Sequence, residues 1–192
     1  MVRQSRLYGK RRMATRQIIA IGGRPASGKT TLMRAILSRY KNELYEPVRG
    51  LYCHAVPEIN AAVIGKYDTP ELYAGTDRLS MNIQPAAQTF VRDSSLNILF
   101  EGDRLFNLSF LRFLHALPDS RVSVIYLDAR DEILKNRYEE RGSNQSAIFL
   151  KSRATKYHNI LKSLPAVQIF NHNTRIQSDS ILKLIEEYIL KN

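Results

Sequence analysis

Residues 23–30 read Gly23-Arg24-Pro25-Ala26-Ser27-Gly28-Lys29-Thr30, a complete G-x-x-x-x-G-K-[ST] phosphate-binding loop. The apolar run Gln17-Ile18-Ile19-Ala20-Ile21-Gly22 comes directly before it, and Thr31-Leu32-Met33-Arg34-Ala35-Ile36-Leu37 directly after. Strand, loop and helix in that order is the setting in which this motif binds phosphate. It constrains the fold more than any other feature, because ligands of open α/β sheets bind beyond the carboxyl ends of the strands. Backbone N–H groups of the loop, Thr31 included, are expected to turn toward phosphate oxygens. Lys29 should reach the β- and γ-phosphates and the Thr30 hydroxyl should sit on Mg²⁺. The helix opening near Gly28 adds its positive dipole end to the same place. ATP and Mg²⁺ are the expected cofactors, with Arg24 placed on the nucleotide as well.

The rest of the chain continues the alternation. Strands are expected at Gln17–Ile21, Pro47–Cys53, within Ile59–Tyr67, at Asn97–Phe100, Val122–Leu127 and Val167–Phe170, with the second and third able to pair as a hairpin. Helices are expected from about Lys29 to Tyr40, Met81 to Arg92 with Ser80 as cap, Ser109 to Leu117, Asp131 to Arg141, Ser146 to Leu164, and Asp179 to Leu190 capped by Ser178. This pattern predicts a mainly parallel five-stranded sheet flanked by helices, the α/β architecture of P-loop nucleotide-binding proteins, with a helical lid over about 130–155. The 192 residues divide into a basic arm, 1–16, and one domain, 17–192. The phosphate loop, Glu101-Gly102-Asp103 and Asn171-His172-Asn173-Thr174 each follow a strand and should converge on one edge of the sheet.

Composition matters mainly through charge. The net charge is +11, and residues 1–42 hold eleven basic residues and no acidic one, while the remaining 150 balance 18 against 18. ATP accounts for Lys29 but not for the arm. Three readings of Met1–Arg16 stand side by side: a contact for nucleic-acid phosphates, a targeting segment, or a passive extension with Met13 as the start of the folded part. No apolar run is long enough for a membrane span. The lone Cys53 and the lack of a secretory pattern fit a reducing, cytoplasm-like compartment.

Chemistry is expected from two further sets. Arg130, Lys135, Arg137, Arg141, Lys151 and Arg153 surround the polar stretch Gly142–Gln145. Such a lid would close over ATP and bring guanidinium groups to the transferring phosphoryl, with Arg137 and Arg141 its best members; a salt-bridged surface helix is the alternative. The carboxylates are Asp77, Glu101 and Asp103, with Asp68 behind them. Either Asp77 or Asp103 could take the acceptor's proton, Asp103 with Thr30 could hold the metal, and Glu101 and Arg78 would meet the acceptor. Asn171 and Thr174 would lie on the adenine. Tyr67, Tyr73 and Phe106 are either stacking partners for a base or ordinary packing. A GTPase base-reading segment of the Asn-Lys-x-Asp kind is absent from the sequence.

At these residues the chain resembles the P-loop kinases of the nucleoside and nucleotide kinase group. Asp77-Arg78-Leu79-Ser80 followed by Ala86-Ala87-Gln88 is loosely similar to the Asp-Arg-Tyr…Ser…Tyr-Gln pattern of thymidylate kinases, with Leu79 where those have Tyr. In Gly23–Thr30, Gly75–Ser80 and Glu101-Gly102-Asp103 it resembles the bacteriophage kinases that phosphorylate 5-hydroxymethyluracil within DNA. That resemblance implies ATP as donor, a hydroxymethyl group on a DNA base as acceptor, and DNA as partner. A kinase for a free nucleoside, nucleotide or other metabolite, and a nucleotide-gated nucleic-acid-binding module without transfer, are the alternatives.

Overall fold

The computed structural model describes residues 15–68, 74–140, 142 and 146–190. Seven strands form a single sheet in the order β2-β3-β4-β5-β1-β6-β7. The strands are β1 (Arg16–Gly23), β2 (Glu43–Val48), β3 (Leu51–Val56), β4 (Ala61–Ile64), β5 (Asn97–Glu101), β6 (Ser120–Asp128) and β7 (Val167–Phe170). The five strands from β4 to β7 in that order run parallel. To these the expected five-stranded sheet adds an antiparallel hairpin, β2–β3, at one edge. The segment Pro47–Cys53, expected as one strand, is the turn of that hairpin: Val48 pairs with Leu51 around Arg49-Gly50. A pairing of β3 with β4 does occur, as Cys53 opposite Ile64.

Among the described residues six α-helices cover the sheet: α1 (Lys29–Arg39), α2 (Gln84–Asp93), α3 (Leu108–His115), α4 (Asp131–Glu140), α5 (Ala147–Ser163) and α6 (Arg175–Leu190). Helix α2 starts three residues later than expected, because Ser80 closes a turn with Asn82 and Pro85 occupies the first helical turn. Helix α6 begins four residues earlier than Ser178 would have set it. Asn107 caps α3 and Ser146 caps α5, each accepting a backbone N–H three residues on.

Strand β1 shows why the sheet needs two helical layers. Ile18 and Ala20 face a core built with Ala87 and Val91 of α2, Phe110, Leu111 and Leu114 of α3, and Tyr157 and Ile160 of α5. Ile19 and Ile21 face the other core, with Leu32, Met33, Ile36 and Leu37 of α1 and Leu182 and Ile185 of α6. All four β1 side chains are fully buried, as a strand covered on both faces requires. Cys53 belongs to the first core, and burial pushes its thiol up to about 12, far from reactivity.

Candidate active site

The loop Gly23–Gly28 leaves β1 at the carboxyl edge of the sheet and turns into α1. Its path needs left-handed backbone at Gly28, with φ 100, and at Ala26, with φ 58. The Lys29 ammonium donates to the carbonyls of Gly23 at 2.8 Å and Arg24 at 3.0 Å, so it lies across the loop. The Thr30 hydroxyl donates to Glu101 Oε1 at 3.0 Å.

That contact follows from topology. Strand β5 is the direct neighbour of β1, with Ile21 opposite Glu101. The carboxylate at the end of β5 therefore reaches the first turn of α1. Glu101 is 1% exposed, and burial pushes its carboxyl up to about 7 against the opposite pull of Lys29. The Tyr67 hydroxyl lies on its other side, driven well above its ordinary value by burial and by the Glu101 charge. Gly75, at φ 67, closes this corner: a Cβ there would come within 2.5 Å of Glu101 Oε1 and 2.8 Å of the Tyr67 oxygen.

Asp77 sits in a short 3-10 turn, Thr76–Arg78, fixed to the same strand end. The Thr76 hydroxyl donates to the Glu101 carbonyl at 2.8 Å, and the Arg104 N–H donates to Asp77 Oδ1 at 3.2 Å. Burial and the Asp103 charge push the Asp77 carboxyl up, while Lys29 pulls it down. The loop lysine and this carboxylate thus share one electrostatic site.

Asp103 turns elsewhere. Its carboxylate accepts from the Tyr157 hydroxyl at 2.6 Å and Lys156 Nζ at 3.1 Å, and pairs with Arg153 Nε at 3.0 Å. Burial alone would raise its carboxyl, but Lys156, Tyr157 and Arg153 together hold it below the usual range. The expected pairing of Thr30 with Asp103 around a metal is replaced by Thr30 with Glu101, because three side chains of α5 already surround Asp103. Glu101, expected to meet an acceptor, instead contacts the first turn of α1 through Thr30.

Three arginines also differ from expectation. Arg24 does not face the loop's interior. It binds Asp128 and Asp131, each at 2.6 Å, and donates to the Ala129 carbonyl at 2.6 Å. Arg137 is buried and donates to the Ala26 carbonyl at 2.9 Å, while Tyr138 of the same helix donates to the Pro25 carbonyl at 3.0 Å. Arg137 therefore supports the loop from outside. Arg78 pairs with Asp68 at 3.1 Å. Arg141, Tyr73, Asn171 and Thr174 lie outside the described residues. Tyr67 and Phe106 are buried packing residues, Phe106 against Tyr157, which removes both as base-stacking partners.

The sequence reading missed Arg104. Its backbone is pinned by Asp77 at the N–H and by the Asn107 amide at the carbonyl. Its buried Nε has no hydrogen-bond partner among the described residues. Only its place three residues after Glu101 marked it. Lys156 and Tyr157 were missed because nothing in local spacing ties α5 to a strand end more than fifty residues earlier.

The residues present fit a nucleotide with Mg²⁺. Thr30 and Glu101 offer hard oxygen donors side by side, and a divalent cation would favour the ionised form that burial disfavours in Glu101. No cluster of three or more metal-ligating side chains occurs among the described residues. That suits an ion held by one carboxylate, a hydroxyl and substrate phosphates.

Fold and loop together define a P-loop nucleotide-binding domain. A family model described as an AAA domain matches residues 19–158, and the chain belongs to that family. No curated protein matches it. An uncharacterized protein from Eubacterium ventriosum ATCC 27560 is similar at 15% identity and a TM-score of 0.49, over 92% of this chain and all of that one. An unliganded sugar kinase from Janibacter sp. HTCC2649 is similar at 17% identity and a TM-score of 0.49, over 90% of this chain and 95% of that one.

Proposed function

We propose that the chain is a phosphotransferase that moves the γ-phosphoryl of ATP to a hydroxyl of a nucleic-acid component, with 5-hydroxymethyluracil in DNA as the first acceptor to test. The observation that carries the transfer is Asp77. Lys29, Thr30 and Glu101 suffice to hold a nucleotide and its metal. Asp77 is a further carboxylate at the same edge, raised by burial, which makes it a stronger proton acceptor than an exposed aspartate. In this reading the acceptor oxygen attacks the γ-phosphorus as its proton passes to Asp77. The bond to the β-phosphate oxygen breaks, and Lys29 balances the charge left on ADP. Mg²⁺, when bound, supplies charge neutralisation across the β- and γ-phosphates. Arg104 offers its guanidinium to an anionic group of the acceptor.

The DNA acceptor is supported by the basic excess of residues 1–42 and by the resemblance in the three motifs named above. A second reading, a kinase for a free nucleoside or nucleotide, is favoured by the fate of that charge. Arg24 is neutralised by Asp128 and Asp131, and Arg39 by Glu186 and Asp179, so neither is available to a polymer. Incubation with γ-labelled ATP and hydroxymethyluracil DNA, unmodified DNA or a nucleoside panel separates the two. Label on the modified DNA is the expected result. Label on nucleosides alone would overturn the polymeric acceptor, and phosphate release without labelled product would overturn transfer. Lys29→Ala should lower transfer to every acceptor by ~100-fold or more.

A further inference from the structure

The described basic residues near the start of the chain lie at both edges of the sheet. Strand β1 begins at Arg16, which is fastened at the amino edge of the sheet by Ser120 and the Ser94 carbonyl. The phosphate loop begins seven residues further on, about 23 Å away at the opposite edge. Residues before Arg16 therefore join the domain at the end remote from Asp77. A polymer whose base must reach Asp77 needs a contact surface at the carboxyl edge, beside that carboxylate.

Such a surface exists at the tip of the β2–β3 hairpin. The turn Arg49-Gly50 points to the carboxyl edge, because β3 runs antiparallel to β4. Gly50 lies against Ile83, whose N–H bonds the Ser80 carbonyl. Just beyond β4, Lys66 pairs with Gly75 as an isolated bridge, and the Arg78 N–H reaches the Gly75 carbonyl at 3.4 Å. The Lys66 ammonium stands 3.6 Å above the Tyr52 ring. Contacts thus run from Tyr52 through Lys66 to the turn that carries Asp77, and the hairpin turn bearing Arg49 adjoins the same edge through Gly50 and Ile83. Met81, in the adjoining turn, is 72% exposed. The carboxylates nearby are Glu46, which accepts from the Gly50 N–H and lies by Tyr52, and Asp68, which pairs with Arg78. Arg49 is exposed, and neither it nor Lys66 has a carboxylate partner among the described residues.

Single-strand binding surfaces combine cations for phosphates with flat side chains that cover bases, most often aromatic; here the exposed Met81 side chain offers the apolar face. Resting on the proposed acceptor, we infer that the hairpin tip bearing Arg49 and Lys66, together with Met81, is the docking surface for the polynucleotide strand that presents its base to Asp77. The strand's phosphates meet Arg49 and Lys66, and a base flanking the acceptor covers Met81.

The test measures binding of a fluorescent 20-nucleotide hydroxymethyluracil oligonucleotide, with a non-hydrolysable ATP analogue, across a salt series. It compares wild type, Arg49→Gln/Lys66→Gln, Met81→Ser and a deletion of residues 1–12. Removing two phosphate contacts should lower the salt slope by about 1.4 and weaken binding roughly tenfold or more. Met81→Ser should weaken the intact oligonucleotide several-fold and leave an abasic one unchanged. Melting temperature and ATP hydrolysis should stay at wild-type values, because all three positions lie outside the nucleotide site. A slope lost only on deletion of residues 1–12, or no oligonucleotide binding by wild type, overturns the inference. So does equal competition by polyglutamate, which would name an acidic protein as occupant. Binding that obeys this pattern without any labelled product would retain the surface and remove the kinase reading, so the two fail separately.

Discussion

Replacing Glu101 by Gln should stabilise the nucleotide-free protein at alkaline pH while removing its activity. The carboxyl is 1% exposed, and burial moves it from 4.5 to about 7. A folded-state value above the unfolded one means that the native state holds the extra proton between the two. Stability is therefore greatest below 4.5, falls as pH rises to about 7, and stays low beyond. At about 1.4 kcal/mol per pH unit across that window, the ionised carboxylate costs the fold about 3 kcal/mol at pH 8. Glutamine carries no charge and keeps a carbonyl oxygen for the Thr30 hydroxyl. Urea denaturation of both proteins from pH 4.5 to pH 8 measures the difference, in which other titrating groups cancel. The variant's advantage should grow by about 3 kcal/mol, or roughly 6–12 °C in Tm for a chain of this size. Mg²⁺ with a non-hydrolysable ATP analogue should narrow the gap, because a bound cation favours the ionised carboxylate. A difference that stays flat within about 0.5 kcal/mol would refute the reasoning, since it would mean that Glu101 ionises in the fold as easily as in water.

Two further outcomes follow from neighbouring contacts. Asp103→Asn should cost about 3 kcal/mol and selectively speed amide exchange in Ala147–Ser163, because Arg153, Lys156 and Tyr157 lose a charged partner. Asp103 lies below its ordinary range, so its contribution is present above that range and lost as pH falls through the folded value. Gly75→Ala should cost about 1–3 kcal/mol by denaturation and lower transfer, since a Cβ would strike Glu101 and Tyr67 from a backbone at φ 67.

Much of this was legible in the sequence. The loop motif, the apolar runs at Asn97–Phe100 and Val122–Leu127, and the periodic helices fix the parallel sheet, because burial on both faces writes itself into local composition. Acidic residues after a buried strand also marked the sheet edge at which Glu101 meets Thr30. What failed was partner assignment. Arg24 and Arg137 sit in or near the motif, yet their hydrogen bonds run to Ala129 and Ala26, across 105 and 111 residues of sequence. Helical spacing gives the face a residue occupies, not what packs against that face. Glu101 rather than Asp103 meets Thr30 for the same reason: the helix that claims Asp103 arrives from a distant part of the chain. The hairpin was blurred because Pro47 and Gly50 in one short window suit a turn and an edge strand equally.

The fastening of the phosphate loop by α4 has a thermodynamic consequence. Arg24 anchors the loop to Asp128, Ala129 and Asp131, and Arg137 and Tyr138 hold the carbonyls of Ala26 and Pro25. Ordering a loop residue costs about 1–2 kcal/mol of backbone entropy. Here that cost falls on folding rather than on nucleotide capture, so association proceeds onto a surface already shaped for phosphate. Nucleotide affinity is then set partly by α4, which holds the loop through the Arg24 side chain and the carbonyls of Pro25 and Ala26. Changes in that helix would act on binding through the flexibility of the loop.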